Sequence, residues 1–163
     1  MLRLRGAHAT LVAAITVLAF VSASCGDDEG EATGATGEET TGAGGAVDVT
    51  LQEFAVIPAQ GSAPAGDVTF NVTNEGPDDV HEFVVIQTDL APDALPTNED
   101  GSVDEEGEGI KPQDEIEDIP VGDTQNLTVN LAAGNYVLIC NIYDKDEQES
   151  HYQEGMRVSF TVE

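Results

Sequence analysis

The sequence predicts an all-β fold, a Greek-key β-sandwich with a long acidic excursion between two of its strands. Short segments in which apolar and polar residues alternate with a period of two recur along the chain. Glycine, proline and asparagine separate these segments, and almost no helical periodicity is present. Many short strands with this punctuation are typical of two packed β-sheets.

Three strands are predicted in the first half of the domain. Residues 47–51 alternate, and residues 53–57 extend the run to a proline. Residues 68–72 alternate again, with their three apolar side chains on one face. Residues 81–87 form a third strand whose middle is almost entirely apolar, which is typical of a strand covered on both faces.

Three more strands are predicted in the second half, at residues 127–131, 136–142 and 157–162. Before them, residues 89–119 fit no strand pattern. This excursion contains three prolines and a dense run of acidic residues: Glu99, Asp100, Asp104, Glu105, Glu106 and Glu108. We interpret it as a solvated surface excursion. A calcium loop is the alternative, but the acids lack the Asp-x-Asp-x-Asp-Gly spacing of such a loop.

The first 24 residues have the pattern of a secretory signal peptide. Two arginines precede an apolar run at residues 11–21, which is too short for a transmembrane helix. The small residues 22–24 followed by Cys25 and Gly26 resemble the processing site of a bacterial lipoprotein, so we expect Cys25 to carry a lipid. The alternative is an ordinary signal peptide with an incidental cysteine, although a free exposed thiol would be a liability in an oxidising compartment.

A flexible acidic linker follows the lipidation site. Residues 25–46 consist mostly of glycine, alanine, threonine and glutamate, with no aromatic residue. Such a segment buries too little apolar surface to offset the entropy of ordering. The predicted organisation is therefore a signal peptide at 1–24, a lipidated cysteine with its linker at 25–46, and one folded domain at 47–163.

Residues that bind soft metals are scarce. The chain has three histidines, two cysteines and two methionines. Outside the leader and Cys25, those that remain are His81, Cys140, His151 and Met156. Two imidazoles, a thiolate and a weak axial thioether form the ligand set of blue copper sites. Taken singly, Cys140 is also a small buried hydrophobe, His81 a strand-end residue and Met156 core filler. The four together favour one copper ion.

The order of these residues resembles the cupredoxins, the type 1 or blue copper proteins. In that family a strand with cysteine is followed by a loop with histidine and methionine and then by the last strand. The resemblance covers about residues 47–163 and rests on these stretches: Asn74-Glu75-Gly76 before His81-Glu82-Phe83, Gly134-Asn135-Tyr136 before Cys140-Asn141-Ile142, and His151-Tyr152-Gln153-Glu154-Gly155-Met156. It implies a cupredoxin-like sandwich with His81, Cys140, His151 and Met156 as copper ligands.

Two features differ from the usual family pattern. Ten residues separate Cys140 from His151, more than the family has, and Glu82 follows the first histidine where asparagine is common. Lengthening a loop from four to ten residues costs about 0.8 kcal/mol of closure entropy. Soft-metal binding at a structured site is worth roughly 10 kcal/mol, so the long loop does not forbid copper.

The resemblance implies an extracytoplasmic, lipid-tethered electron-transfer protein with one mononuclear copper. The alternatives are an envelope copper chaperone, buffer or sensor, and a metal-free interaction module on the same scaffold. A dinuclear copper centre needs a second nearby cysteine, and methionine is a poor zinc ligand. The sequence has no Gly-x-Ser-x-Gly motif, no phosphate-binding glycine loop and no evident acid–base pair, so we do not predict an enzyme.

The charge of the chain is strongly negative. It has 32 acidic and five basic residues, a net charge of −27. Without the leader, three basic residues remain against the same 32 acids, which gives −29. This charge disfavours nucleic acid and anionic lipid as partners and favours a basic redox protein, although it also serves solubility or salt adaptation. We expect a monomer that contacts the membrane only through its N-terminal lipid.

Overall fold

A computed structural model of the protein describes residues 45–163. The predicted signal peptide, the lipidation site Cys25 and the linker up to residue 44 lie outside the described residues. Within residues 45–163, no helix is long and apolar enough to cross a membrane. The elements are, in chain order, β1 (Ala46–Gln52), β2 (Ala55–Pro58), β3 (Ser62–Ala63), β4 (Gly66–Asn74), β5 (His81–Thr88), β6 (Ile110–Ile119), β7 (Thr124–Leu131), β8 (Gly134–Ile139), β9 (Tyr143–Asp144), β10 (Glu149–Ser150), α1 (His151–Glu154) and β11 (Arg157–Val162).

Two sheets form the domain. One contains four strands in the order β2-β1-β4-β7, and the other contains five in the order β3-β11-β8-β5-β6. Their facing apolar side chains form one core, in which the ring of Phe70 lies 5.3 Å from that of Phe83 and 5.6 Å from that of Phe160. The predicted apolar face of residues 68–72 is buried in this core. The prediction of an all-β sandwich is confirmed.

One prediction about the acidic excursion is wrong. Residues 110–119 do form a strand, β6, which pairs antiparallel with β5 at the edge of the five-stranded sheet. Its pattern is hidden because the pairing has two register irregularities and because only Ile119 of its ten residues is buried. Charged side chains on an edge strand also protect the sheet against pairing with another chain.

The remainder of the excursion, residues 89–109, is not merely a solvated loop. Leu95 and Val103 are buried in a second apolar cluster on the outer face of the five-stranded sheet, together with Val84, Ile86, Val137, Ile139 and Tyr152. The segment is anchored by the Tyr152 hydroxyl, which donates to the carbonyl oxygen of Pro92 at 2.8 Å and accepts from the Leu95 amide at 3.2 Å. Strand β5 is thus covered on both faces, as its apolar run predicts.

The strand directions bring three chain segments to one end of the sandwich. Strand β8 is antiparallel to both of its neighbours, β5 and β11. His81 begins β5, Cys140 directly follows β8, and Met156 directly precedes β11. The strand predicted at residues 136–142 ends earlier than expected, at Ile139, so Cys140 lies on the loop side of the sheet end.

Candidate metal centre

Three potential metal ligands meet at this end of the sandwich. The Nδ1 atoms of His81 and His151 lie 3.2 Å apart. The Sγ atom of Cys140 lies 3.4 Å from Nδ1 of His151 and 3.9 Å from Nδ1 of His81. All three side chains are buried, and these donor atoms are close enough to hold one ion between them.

His81 is positioned by the turn that precedes β5. The buried side chain of Asn74 donates to the carbonyl oxygens of Asp79 and Ile119 at 2.8 and 2.9 Å. Its Oδ1 accepts the Gly76 amide at 2.8 Å. Gly76 has φ 61°, and a Cβ there would lie 2.7 Å from Cγ1 of Val121, so this position requires glycine. Asn74 and Gly76 of the Asn-Glu-Gly stretch noted in the sequence therefore support the first histidine, whereas the side chain of Glu75 between them is exposed and takes no part in these contacts.

Cys140 is held by two backbone groups. Its amide donates to the carbonyl oxygen of Met156 at 3.0 Å, and its Sγ accepts the amide of Glu82 at 3.2 Å. The next residue, Asn141, connects the cysteine loop to the excursion, since its Oδ1 accepts the Val103 amide at 2.6 Å. The sulfur is thus held by a backbone amide of β5, the strand that begins with His81. The sequence pattern does not reveal this contact.

His151 is the first residue of the short helix α1. The Ser150 side chain caps this helix by accepting the Gln153 amide at 3.4 Å, and it donates to the carbonyl oxygen of Gly101 at 2.9 Å. The His151 amide donates to the carbonyl oxygen of Ile142 at 3.0 Å. The residues between Ile142 and His151 form the β9–β10 hairpin. His151 is therefore hydrogen-bonded to a residue that is only two positions after Cys140 in the sequence.

Met156, the fourth predicted ligand, is fully buried beside these residues. Its amide donates to the carbonyl oxygen of His151 at 3.0 Å, and its own carbonyl oxygen accepts the Cys140 amide at 3.0 Å. Its backbone therefore joins the second histidine to the cysteine. Its side chain belongs to the main apolar core.

Burial favours the uncharged form of all three side chains. It raises the pKa of the Cys140 thiol to about 12, although the backbone amides of Glu82 and Ile142 oppose the rise. Burial also lowers the pKa of the His151 imidazole, and burial followed by the neighbouring His151 lowers that of His81. A metal requires the thiolate and neutral imidazoles. The imidazoles are already in that form, and a cation among them would supply the positive charge that the thiolate needs.

Two further residues contact the histidines, and sequence reasoning missed both. Oε1 of Glu53 lies 3.5 Å from Nε2 of His81. The ring of Phe54 packs edge-to-face on that of His151, with 5.4 Å between the centroids. Both residues lie in the connection between β1 and β2, far from the metal-binding pattern in the sequence, so no local signal identifies them.

The surface above the cluster is acidic. A pocket of about 400 Å³ reaches His151 and is lined by Asp78, Asp79, Val80, Asp118, Ile142, Asp144 and His151. Beside it, a second pocket of about 360 Å³ has Glu53, Glu147 and Glu149 among its lining residues. The end of the sandwich that carries the donor cluster thus presents carboxylates to solvent.

Comparisons with solved structures identify the fold. An auracyanin from the photosynthetic bacterium Roseiflexus castenholzii is similar over 73% of this chain and 96% of its own, with 18% identity and a TM-score of 0.52. Auracyanin B is similar over 73% and 88%, with 21% identity and a TM-score of 0.48. Rusticyanin from Thiobacillus ferrooxidans is similar over 72% and 77%, with 18% identity and a TM-score of 0.47. No protein-family model matches the sequence, and no curated protein matches it.

Proposed function

We propose that this chain, which has the cupredoxin fold, is a mononuclear copper protein that transfers single electrons. The observation that carries the proposal is the meeting of Nδ1 of His81, Nδ1 of His151 and Sγ of Cys140 at one buried point. Two imidazoles and one thiolate select copper, and Met156, whose backbone joins two of these residues, would add the axial thioether.

The chain supplies a rigid, dry site for such an ion. A bound copper ion would supply one-electron chemistry by alternating between its cuprous and cupric states. The protein's own contribution is to hold the ligands still and to exclude water. Cys140 and His81 are fully buried, and Glu82 and Met156 hold the cysteine through backbone hydrogen bonds. These features suit an electron carrier rather than an enzyme.

The proposal extends to location and partner. We propose that Cys25 carries a lipid outside the cytoplasm, because the leader pattern predicts it, and that residues 25–46, whose composition predicts a flexible acidic linker, hold the domain away from the membrane. The carboxylates around the pocket above His151 favour a redox partner with a basic docking surface.

Replacing Cys25 by alanine should release the protein from membranes, which detergent phase partitioning would measure. Equal partitioning of the variant would contradict the lipid anchor.

The absorption spectrum after copper addition tests the central proposal. All samples carry Cys25→Ala, so that Cys140 is the one thiol present. We expect one copper per chain and a strong visible thiolate-to-copper band that Cys140→Ser abolishes. Copper binding without that band would favour a buffer or chaperone, and no binding would favour a metal-free interaction module. A full band in the serine variant would overturn the ligand assignment.

A further inference from the structure

Two buried polar atoms without hydrogen-bond partners lie beside each other at the metal centre. Within residues 45–163, Oε2 of Glu53 and Nε2 of His81 are the buried side-chain nitrogen or oxygen atoms that lack one. The other carboxylate oxygen, Oε1, lies 3.5 Å from the same Nε2. Leaving a buried donor or acceptor unpaired costs roughly 1–3 kcal/mol, so two such atoms on neighbouring side chains call for an explanation.

The orientation of the His81 ring shows which nitrogen is free to carry a proton. Its Nδ1 faces Nδ1 of His151 and Sγ of Cys140, so Nδ1 is the atom that would bind a metal. A neutral imidazole that binds a metal through one nitrogen carries its hydrogen on the other. The Nε2–H group of His81 then points towards Glu53, whose side chain is only 12% exposed.

The Glu53 carboxylate is itself fixed in place. Its Oε1 accepts the amides of Asp79 and Asp78 at 2.7 and 3.2 Å, just before the strand that His81 begins. The next residue, Phe54, packs its ring on that of His151. One short connection between β1 and β2 therefore contacts both histidines of the cluster.

We propose that Glu53 is a positioning residue of the metal centre. Its carboxylate accepts a hydrogen bond from Nε2–H of His81 and thereby holds the imidazole in the tautomer that presents Nδ1 to the metal. Metal-binding histidines commonly donate their second N–H to a carboxylate, which orients the ring and strengthens it as a ligand. The part of this inference that concerns the metal rests on the proposed copper function, whereas the tautomer is a property of the metal-free protein.

The two histidines should then hold complementary tautomers before any metal binds. Their Nδ1 atoms lie at hydrogen-bonding distance, 3.2 Å, so one nitrogen donates and the other accepts. If Glu53 holds the hydrogen of His81 on Nε2, then Nδ1 of His81 accepts and His151 carries its hydrogen on Nδ1. Both assignments are visible in the nitrogen chemical shifts of the imidazoles.

Imidazole nitrogen NMR on the full chain in chelator tests the proposal. We expect His81 protonated on Nε2 and His151 on Nδ1 in the wild type. Glu53→Ala should abolish this preference, and Glu53→Gln should retain it, because the amide oxygen still accepts a hydrogen bond. Glu75→Ala is the matched control, since Glu75 is exposed and its carboxylate bonds only to Gln52 among the described side chains.

Copper binding provides the second readout. Glu53→Ala should weaken copper(II) binding by roughly 10- to 100-fold, the usual cost of losing such a partner, while Glu75→Ala leaves binding unchanged. A wild type with its His81 proton on Nδ1, or an alanine variant with wild-type tautomers, would overturn the role of Glu53. If the expected tautomers appear but the wild type binds no copper, the proposed function fails and the Glu53–His81 pair stands.

Discussion

The backbone amide of His151 donates to the carbonyl oxygen of Ile142 at 3.0 Å, although eight residues of the chain lie between them. Those residues leave the site as the β9–β10 hairpin and return to it, so the loop is already closed two residues after Cys140. The turn of the hairpin is shaped by Asp144, whose Oδ1 accepts the amides of Asp146 and Glu147 at 2.6 and 3.0 Å. The long interval between cysteine and histidine is therefore a short loop with an inserted hairpin.

Shortening this hairpin should leave the metal centre intact. Asp144 pairs with Glu149, so residues 145–148 can be replaced by Asn-Gly, which favours a two-residue hairpin turn. We expect the visible copper band and the reduction potential to remain those of the wild type, because Ile142 and His151, which close the loop next to the site, both lie outside the replaced residues. Loss of the band in a variant that still folds, as judged by circular dichroism, would show that the hairpin tip shapes the site.

The convergence of three of the candidate ligands was predictable because it depends on strand direction. His81 begins a strand, Cys140 ends one and Met156 precedes one, so an antiparallel middle strand brings all three to the same end. The scarcity of soft ligands in the domain made the choice of residues simple. These features are local in the sequence and can be read without knowledge of the packing.

The parts that could not be predicted depend on contacts that are distant in sequence or on an exposed edge. Strand β6 has no clean alternation, because an edge strand with an exposed surface does not need one. Leu95 and Val103 gave no sign that they cover the outer face of β5. Glu53 reaches His81 across 28 positions of the chain, from a connection between two strands that carries no metal-binding pattern.

Replacing Met156 by leucine should keep the copper but raise its reduction potential. Leucine has nearly the volume of methionine, so the core should lose less than about 1.5 kcal/mol of stability. The weak thioether donor, which favours the cupric state, would be lost. Voltammetry of the copper-loaded protein would measure the change. Leu138→Met is the control, because Leu138 is equally buried in the same core. An unchanged potential in the leucine variant, or an equal shift in the control, would exclude Met156 as a ligand.

Replacing Glu82 by glutamine should stabilise the metal-free protein at pH 8 but not at pH 4.5. Burial, and then the nearby Glu115 and Glu105, raise the pKa of Glu82 from 4.5 to about 7. Between those values the folded state keeps a proton that the unfolded state has lost, so the free energy of unfolding falls as the pH rises through this window. Glutamine mimics the protonated form. Because the group is partly solvated, we expect a gain of about 1–2 kcal/mol at pH 8.

Urea unfolding at both pH values in the presence of chelator would measure this gain. The histidines of the cluster have lowered pKa values in the folded state, which gives a slope of the opposite sign near their ordinary pKa of 6.5. That slope is present in both proteins and cancels in the difference. Glu115→Gln is the control, because Glu115 lies on exposed β6, and its smaller degree of burial should give a smaller gain. Equal gains at both pH values would contradict the assignment to Glu82.

The acids of the hairpin lie at the same end of the molecule as the donor cluster. Asp144 lines the pocket that reaches His151, and Glu147 and Glu149 line the neighbouring pocket. Together with Asp146 they form a set of four that can be neutralised as Asn or Gln, and Asp144→Asn retains an oxygen for the hairpin turn. A matched set at the opposite end consists of Asp67, Asp89, Glu108 and Glu163, all exposed.

Neutralising the hairpin set should slow electron exchange with a cationic redox protein, whereas neutralising the opposite set should change the rate much less. Electrostatic steering raises encounter rates by roughly 10- to 1,000-fold at low salt, and charges near the docking site dominate because screening acts over about 8 Å at physiological ionic strength. Both variants have the same net charge, so a difference between them reports the position of the charges alone. Stopped-flow measurement of the bimolecular rate against ionic strength would give this difference, which should shrink as salt is added. Equal rates for the two variants, or no dependence on salt, would mean that the acidity serves solubility and not docking.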